Sequence, residues 1–155
     1  MKYQFPATSA MTLHPGFELH PQLRADTLAV GDWPLSRVLL MNDTHYPWLI
    51  LVPRRPGLRE IYELPEGERQ QLMRESCLLA STLMRLFTGD KLNVAALGNM
   101  VPQLHLHHIV RRVGDPAWPA PVWGRHPAQP YLEAAADDCL ALLRRELTAL
   151  LPLQV

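Results

Sequence analysis

Apolar residues crowd into two short runs in the first third of the chain. Residues 35–41 end at the turn-forming pair Asn42 and Asp43, and residues 48–52 end at Pro53. Runs this short and continuous predict strands covered on both faces, and the few residues between them predict an antiparallel hairpin. Over residues 65–87 the spacing becomes helical. Leu72, Leu79, Leu83 and Leu86 share a stripe, with Glu66, Glu68, Arg69, Arg74 and Glu75 between them. Pro65 suits the first turn of this helix, and Gly89 suits its end. Residues 92–97 and 104–110 predict two further strands and a second hairpin, broken at Gly98 and Asn99. Residues 131–150 predict a closing amphipathic helix on the stripe Leu140, Leu143, Leu147 and Leu150, and residues 21–29 suit a short helix.

Between the last strand and the last helix the pattern fails. Residues 115–124 interleave Trp118 and Trp123 with Pro116, Pro119 and Pro121, and proline bars such a stretch from helix interiors and central strands. The segment reads as an ordered, aromatic flap. Neither repeats nor low-complexity tracts interrupt the 155 residues, which fit one domain. We divide it into an N-terminal extension (1–20), a core (21–112), and a flap with C-terminal helix packed on that core (113–155). Met11 is a candidate natural start, because residues 1–10 carry no periodic pattern.

Charge narrows the function. Fifteen basic and fifteen acidic residues cancel, so nothing steers the chain toward a nucleic acid polymer or an anionic membrane, and any anion site must be local. Arg54, Arg55, Arg111 and Arg112 form two basic pairs at strand ends, which read as solvated termini. Cys77 and Cys139 form no close pair and read as reduced, half-buried packing residues. Without a secretory leader or a run long enough to span a membrane, the expected location is cytoplasmic.

The chemistry gathers in the fourth strand. Side chains alternate along a strand, so Gln103, His105 and His107 share one face while Leu104, Leu106 and His108 share the other. An imidazole is costly to bury unless both nitrogens are satisfied, so a polar row in an apolar strand marks a site. A zinc centre built from His105, His107 and His108 is the metal alternative. Adjacent His107 and His108 point apart, however, and Asp115 or His126 would have to come in from the flap, so we assign no metal and no cofactor.

The segment from Gln103 to His108 resembles the signature of the histidine triad family, in which three histidines alternate with apolar residues. His105 and His107 match the second and third histidines, and Gln103 replaces the first. Asn42-Asp43 closing a strand, residues 49–53 followed by Arg54-Arg55, and the strand 93–97 ending in Gly98 recur in the family's order, so the resemblance spans about residues 35–112. It implies an α+β fold with a five-stranded antiparallel sheet and two main helices, usually paired into a homodimer, that binds a nucleotide or nucleotide conjugate. It further implies that His105 attacks phosphorus to form a transient phosphohistidine. His107, Gln103 and Asn99 would assist catalysis. Asp43 would accept ribose hydroxyls with Asn42 beside it, while Leu39, Met41 and Trp48 wall the base; Asn93 is a further nucleotide-binding candidate.

The chain departs from the family at three places besides Gln103. The loop before the triad is short, with Met100, Val101 and Pro102 where members carry glycines, a Gln and a Ser or Thr. Trp48 stands where many members have another histidine, and His45 lies nearby in imperfect register. The expected activity is therefore a nucleotide hydrolase or nucleotidyl transferase acting at phosphorus, and the rival reading is a nucleotide-binding module without turnover.

Overall fold

A computed structural model describes residues 15–155. Its elements, in order, are helix α1 (Pro21–Asp26), strands β1 (Thr27–Asp32), β2 (Ser36–Met41) and β3 (Trp48–Pro53), helix α2 (Glu66–Phe87), strands β4 (Lys91–Ala95) and β5 (Leu106–Arg111), and helix α3 (Glu133–Thr148). They build one five-stranded antiparallel sheet in the order β1-β2-β3-β5-β4. Both expected hairpins are present, with β3 pairing to β5 at the centre.

Three sequence expectations need correction. The short helix stops at Asp26, and the residues after it form the edge strand β1. Its Gly31 sits where a Cβ would lie 2.8 Å from the Gln154 carbonyl, and Asp32 bridges to Gln154, so the chain's end completes this edge. Pro65 caps α2 instead of entering it. Its carbonyl accepts the N–H groups of Glu68 and Arg69, and Thr88, at φ 48°, takes the left-handed position expected of Gly89. Gly89 is required for packing, since a Cβ there would meet Val110 at 2.5 Å. Cys77 is exposed on α2, not half-buried.

Strand alternation splits the core in two. On one face Val38, Leu40, Leu49, Leu51, Leu106 and Val110 pack under α2 and α3 against Leu72, Leu79, Leu83, Leu143 and Leu147. On the other, Leu39, Trp48, Ile50, Val52 and Ile109 pack against Leu19 and Leu23 and against Ala117 and Val122 of the flap. Both faces are covered, as the unbroken apolar runs predicted. Among the described residues no helix is long and apolar enough to cross a membrane.

Two buried polar groups of the helical layer lock it to the sheet. Glu75 of α2, fully buried, accepts the N–H groups of Leu35 and Ser36 at 2.8 and 3.0 Å and the Gln71 amide at 2.9 Å. Burial raises its carboxyl above the ordinary range, opposed by those hydrogen bonds. The next residue, Ser76, meets the Nε2 of His108 at 2.7 Å, while the His108 Nδ1 faces the Leu106 carbonyl at 3.2 Å. A carbonyl only accepts, so the ring carries its proton on Nδ1, and the Ser76 hydroxyl donates to Nε2. His108 is therefore a core residue on the helix side.

Two predictions follow from this layer. Glu75→Ala strands two buried backbone donors and should lower unfolding free energy by about 3 kcal/mol in urea denaturation; a loss under about 0.5 kcal/mol would show that the clamp is idle. Burial pushes His108 down to about 4 from an ordinary 6.5, a depressed folded pKa, so its stabilising contribution is complete above 6.5 and is lost as pH falls toward 4. One such imidazole removes roughly 2 kcal/mol between pH 7 and pH 5. Urea titrations at both pH values should show His108→Gln losing that much less than wild type; equal losses would contradict the assignment.

Candidate functional site

Strand β5 begins at Leu106, two residues later than expected, so His105 stands at its entrance. There the backbone has left the ladder, and the Gln103 carbonyl is free to accept from His105 Nδ1 at 2.7 Å. The proton is thus held on Nδ1, and Nε2 carries the lone pair. His105 and His107 lie on the same face, with ring centroids 4.8 Å apart and edge to face. His107 sits opposite Ile50 on β3 and Ala95 on β4. Its Nδ1 accepts from the Trp48 indole Nε1 at 3.0 Å. Burial, then the neighbouring His105 and His108, push its pKa down to about 3.

Beyond this row opens a cavity of about 340 Å³, roofed by the flap. Met41, Asn42, Asp43, Tyr46 and Trp48 line its sheet side, Asp26 its rim, and Val122, Trp123 and His126 its roof. Trp123 touches both Trp48 and His107 edge to face, at 5.8 and 5.3 Å, so cavity and histidine row share a wall. The flap covers the cavity of its own chain. Leu39, expected in that wall, is instead part of the core beneath it.

The acidic corner is already partly engaged. Asp43 Oδ1 accepts the backbone N–H groups of His45 and Gln129 at 3.1 and 3.2 Å and meets His45 Nδ1 at 2.6 Å. Asn42 Oδ1 accepts the N–H of Tyr131 at 2.9 Å. The Asp43 Oδ2 and the Asn42 amide are the groups left for a ligand. His45 lies away from the histidine row, stacked on His126 with centroids 5.5 Å apart.

Three other candidates lie apart from the cavity. Gln103 turns its amide to the N-terminal segment, accepting the His20 N–H and donating to the Glu18 carbonyl, both at 2.9 Å. Asn99 is exposed in the connection between β4 and β5. Asn93 accepts from Arg111 at 2.8 Å and so serves the flap anchor. His105 and Gln103 also border a small recess with Arg59 and Glu60, two residues the sequence reading passed over.

The basic pairs are not uniformly solvated, which corrects the sequence reading. Arg111 is 1% exposed, bonded twice to Asp115 at 2.7 and 2.9 Å and once to the Ala120 carbonyl at 3.0 Å, with the Tyr46 and Trp118 rings each 5.7 Å away. Arg54 is buried against the Trp33 and Pro34 carbonyls, and Arg55 pairs with Glu68 at 2.8 Å. The missed cavity residues Asp26, Tyr46, Val122 and His126 come from separate segments, and no local motif announces them. Among the described residues, no cluster of three His, Cys, Asp or Glu side chains could hold a metal ion.

Comparison with known proteins agrees with this geometry. The sequence pattern of the HIT domain matches residues 22–114. No curated protein matches the chain. Among solved structures, a histidine triad protein from Marinobacter aquaeolei VT8 is 58% identical over 86% of this chain and 98% of its own, with a TM-score of 0.85. One from Bradyrhizobium japonicum is 48% identical over 85% and 98%, with a TM-score of 0.82. Another, from Sinorhizobium meliloti 1021, is 40% identical over 84% and 97%, also at 0.82. Strand order, the matched domain and these relatives together make the chain a member of the histidine triad family.

Proposed function

We propose that the chain binds a nucleoside phosphate in the flap-covered cavity and acts at its phosphorus through His105. The observation that carries this reading is the 2.7 Å contact from His105 Nδ1 to the Gln103 carbonyl, which orients the ring so that in its neutral form the lone pair sits on Nε2, ready to act as nucleophile. Membership in a family of mostly nucleotide-binding hydrolases and transferases supports it. So does the cavity, whose aromatic walls suit a base and whose free Asp43 oxygen suits ribose hydroxyls.

In the proposed reaction a bond forms between Nε2 and phosphorus while the bond to the leaving group breaks. The leaving group departs with that electron pair and takes a proton from water. A second water then attacks phosphorus and gives its proton to the hydroxide left by the first, the P–N bond breaks with its electron pair returning to Nε2, and the nucleoside monophosphate is released. Nucleoside phosphoramidates, nucleotidyl esters and dinucleoside polyphosphates are the fitting substrate classes. A second reading, binding without turnover, is favoured by one observation: Gln103 spends both ends of its amide on Glu18 and His20 instead of a phosphate.

The decisive experiment incubates the protein with adenosine phosphoramidate and compares wild type with His105→Ala. We expect wild type to turn over at least about a hundredfold faster and to yield a trapped nucleotidyl-histidine. Equal rates would leave only the binding reading, and no rise in melting temperature with millimolar nucleotide would remove that too.

We also propose a homodimer formed along the edge strand β4. Val94 on that strand and Leu97 just past its end are half exposed, and Met100 beyond them is almost fully so, an apolar strip along an edge strand and the connection after it. Sedimentation equilibrium should give twice the 17.6 kDa chain mass, and Val94→Lys combined with Leu97→Lys should give the chain mass itself. A monomeric wild type refutes the pairing.

A further inference from the structure

Trp48 does more than wall the cavity. On β3 it sits opposite Ile109, which makes it the diagonal neighbour of His107 on β5, within reach of a long aromatic side chain. The contact that results, Trp48 Nε1 to His107 Nδ1 at 3.0 Å, is buried. An indole N–H donates and cannot accept. Nδ1 of His107 must therefore present its lone pair, and the neutral ring keeps its proton on Nε2.

The surroundings hold that state. His105 lies against one edge of the ring and Trp123 against another, and the charged form would be desolvated beside a second imidazole. The titratable groups around it are His105 on the same face and His108 on the opposite one. His105 has the reverse tautomer, with its proton on Nδ1 and its lone pair on Nε2. The two rings thus offer a lone pair and a donor side by side.

We propose that Trp48 is a positioning residue that holds His107 as a permanent Nε2–H hydrogen-bond donor to the phosphoryl oxygens of the ligand and bars it from relaying protons. The inference rests on the proposed phosphate-binding site. It deepens that reading, because an indole N–H in contact with His107 can donate a hydrogen bond but cannot pass a proton on. His107 then neither gains nor loses a proton during transfer.

Two measurements test it. Long-range 1H–15N spectra of the imidazoles report the tautomer directly, with or without turnover. Wild-type His107 should be protonated on Nε2 alone from pH 5 to pH 9, free and with AMP bound; protonation on Nδ1 at any of these values overturns the proposal. In Trp48→Phe, which keeps a ring but loses the N–H, His107 should show mixed tautomers. The second measurement compares AMP with adenosine by calorimetry. With the His107 ring neither oriented nor held in one tautomer, the phosphate loses about one hydrogen bond, which should reduce the preference for AMP over adenosine about tenfold in Trp48→Phe. Equal weakening of both ligands would mean that Trp48 is only a wall, and a wild type that binds AMP no better than adenosine leaves His107 no phosphate to hold; either result refutes the idea. Should Trp48→Phe fail to fold, the wild-type tautomer and affinity ratio still decide. Absent wild-type turnover would defeat the hydrolase reading while leaving these two results to stand or fall alone.

Discussion

A strand that carries three imidazoles into a packed interior is tolerable only if each ring nitrogen has a settled role. Strand β5 and its entrance meet that constraint with three different partners: the Gln103 carbonyl for His105, the Trp48 indole for His107, and the Leu106 carbonyl with Ser76 for His108. A carbonyl can only accept and an indole can only donate, so the tautomer of each of the three neutral rings is set by a partner whose role does not change with pH. Period-two alternation then sends His108 to the helices and the other two to the flap side. Structure and site therefore come from the same strand without competing for the same histidine.

The flap depends on a second buried charge. Arg111 ends β5, and its guanidinium gathers Asp115, the Ala120 carbonyl and Asn93 while lying between the Tyr46 and Trp118 rings. A buried cation deprived of its partner is costly, so this arrangement fixes where the chain turns after the sheet. Ala117 and Val122 then pack onto the sheet face, and Trp123 falls against Trp48 and His107. Residues 129–131 complete the cover by bonding to Asn42, Asp43 and Thr44. Proline keeps the segment out of regular structure, and Arg111 supplies the order that backbone ladders would otherwise provide.

Features governed by local periodicity were legible in the sequence. The apolar runs of β2 and β3, most of the leucine stripes of α2 and α3, and the opposed faces of His107 and His108 follow from spacing alone, whereas Leu86 lies outside the core and Leu150 lies past the end of α3, exposed. Strand β1 was not, because only Val30 of its six residues is buried and its edge is completed by Gln154 at the far end of the chain. Arg111 looked like half of a solvated pair because Tyr46 and Trp118, which enclose it, lie far from it or beyond a proline-rich turn. In the candidate site, residue types and their shared face were readable, but partners were not. Nothing near Asn93 announces Arg111, and nothing near Gln103 announces Glu18 and His20.

Gln103 shows what replacing a titratable side chain with an amide does to such a site. An imidazole there would add a third group able to take up a proton on the flap side of the sheet. The amide cannot titrate, and its acceptor and donor are occupied by the His20 N–H and the Glu18 carbonyl. The same residue's backbone carbonyl fixes the tautomer of His105. Position 103 therefore joins two structural tasks, seating residues 18–20 against the strand entrance and holding the imidazole beside it. Leu19, buried between those two anchors, adds apolar contact to the hydrogen bonds. With Gln103 unable to titrate and His107 pushed toward its neutral form by burial, the row presents one fixed amide and two imidazoles whose Nδ1 atoms are already committed to partners.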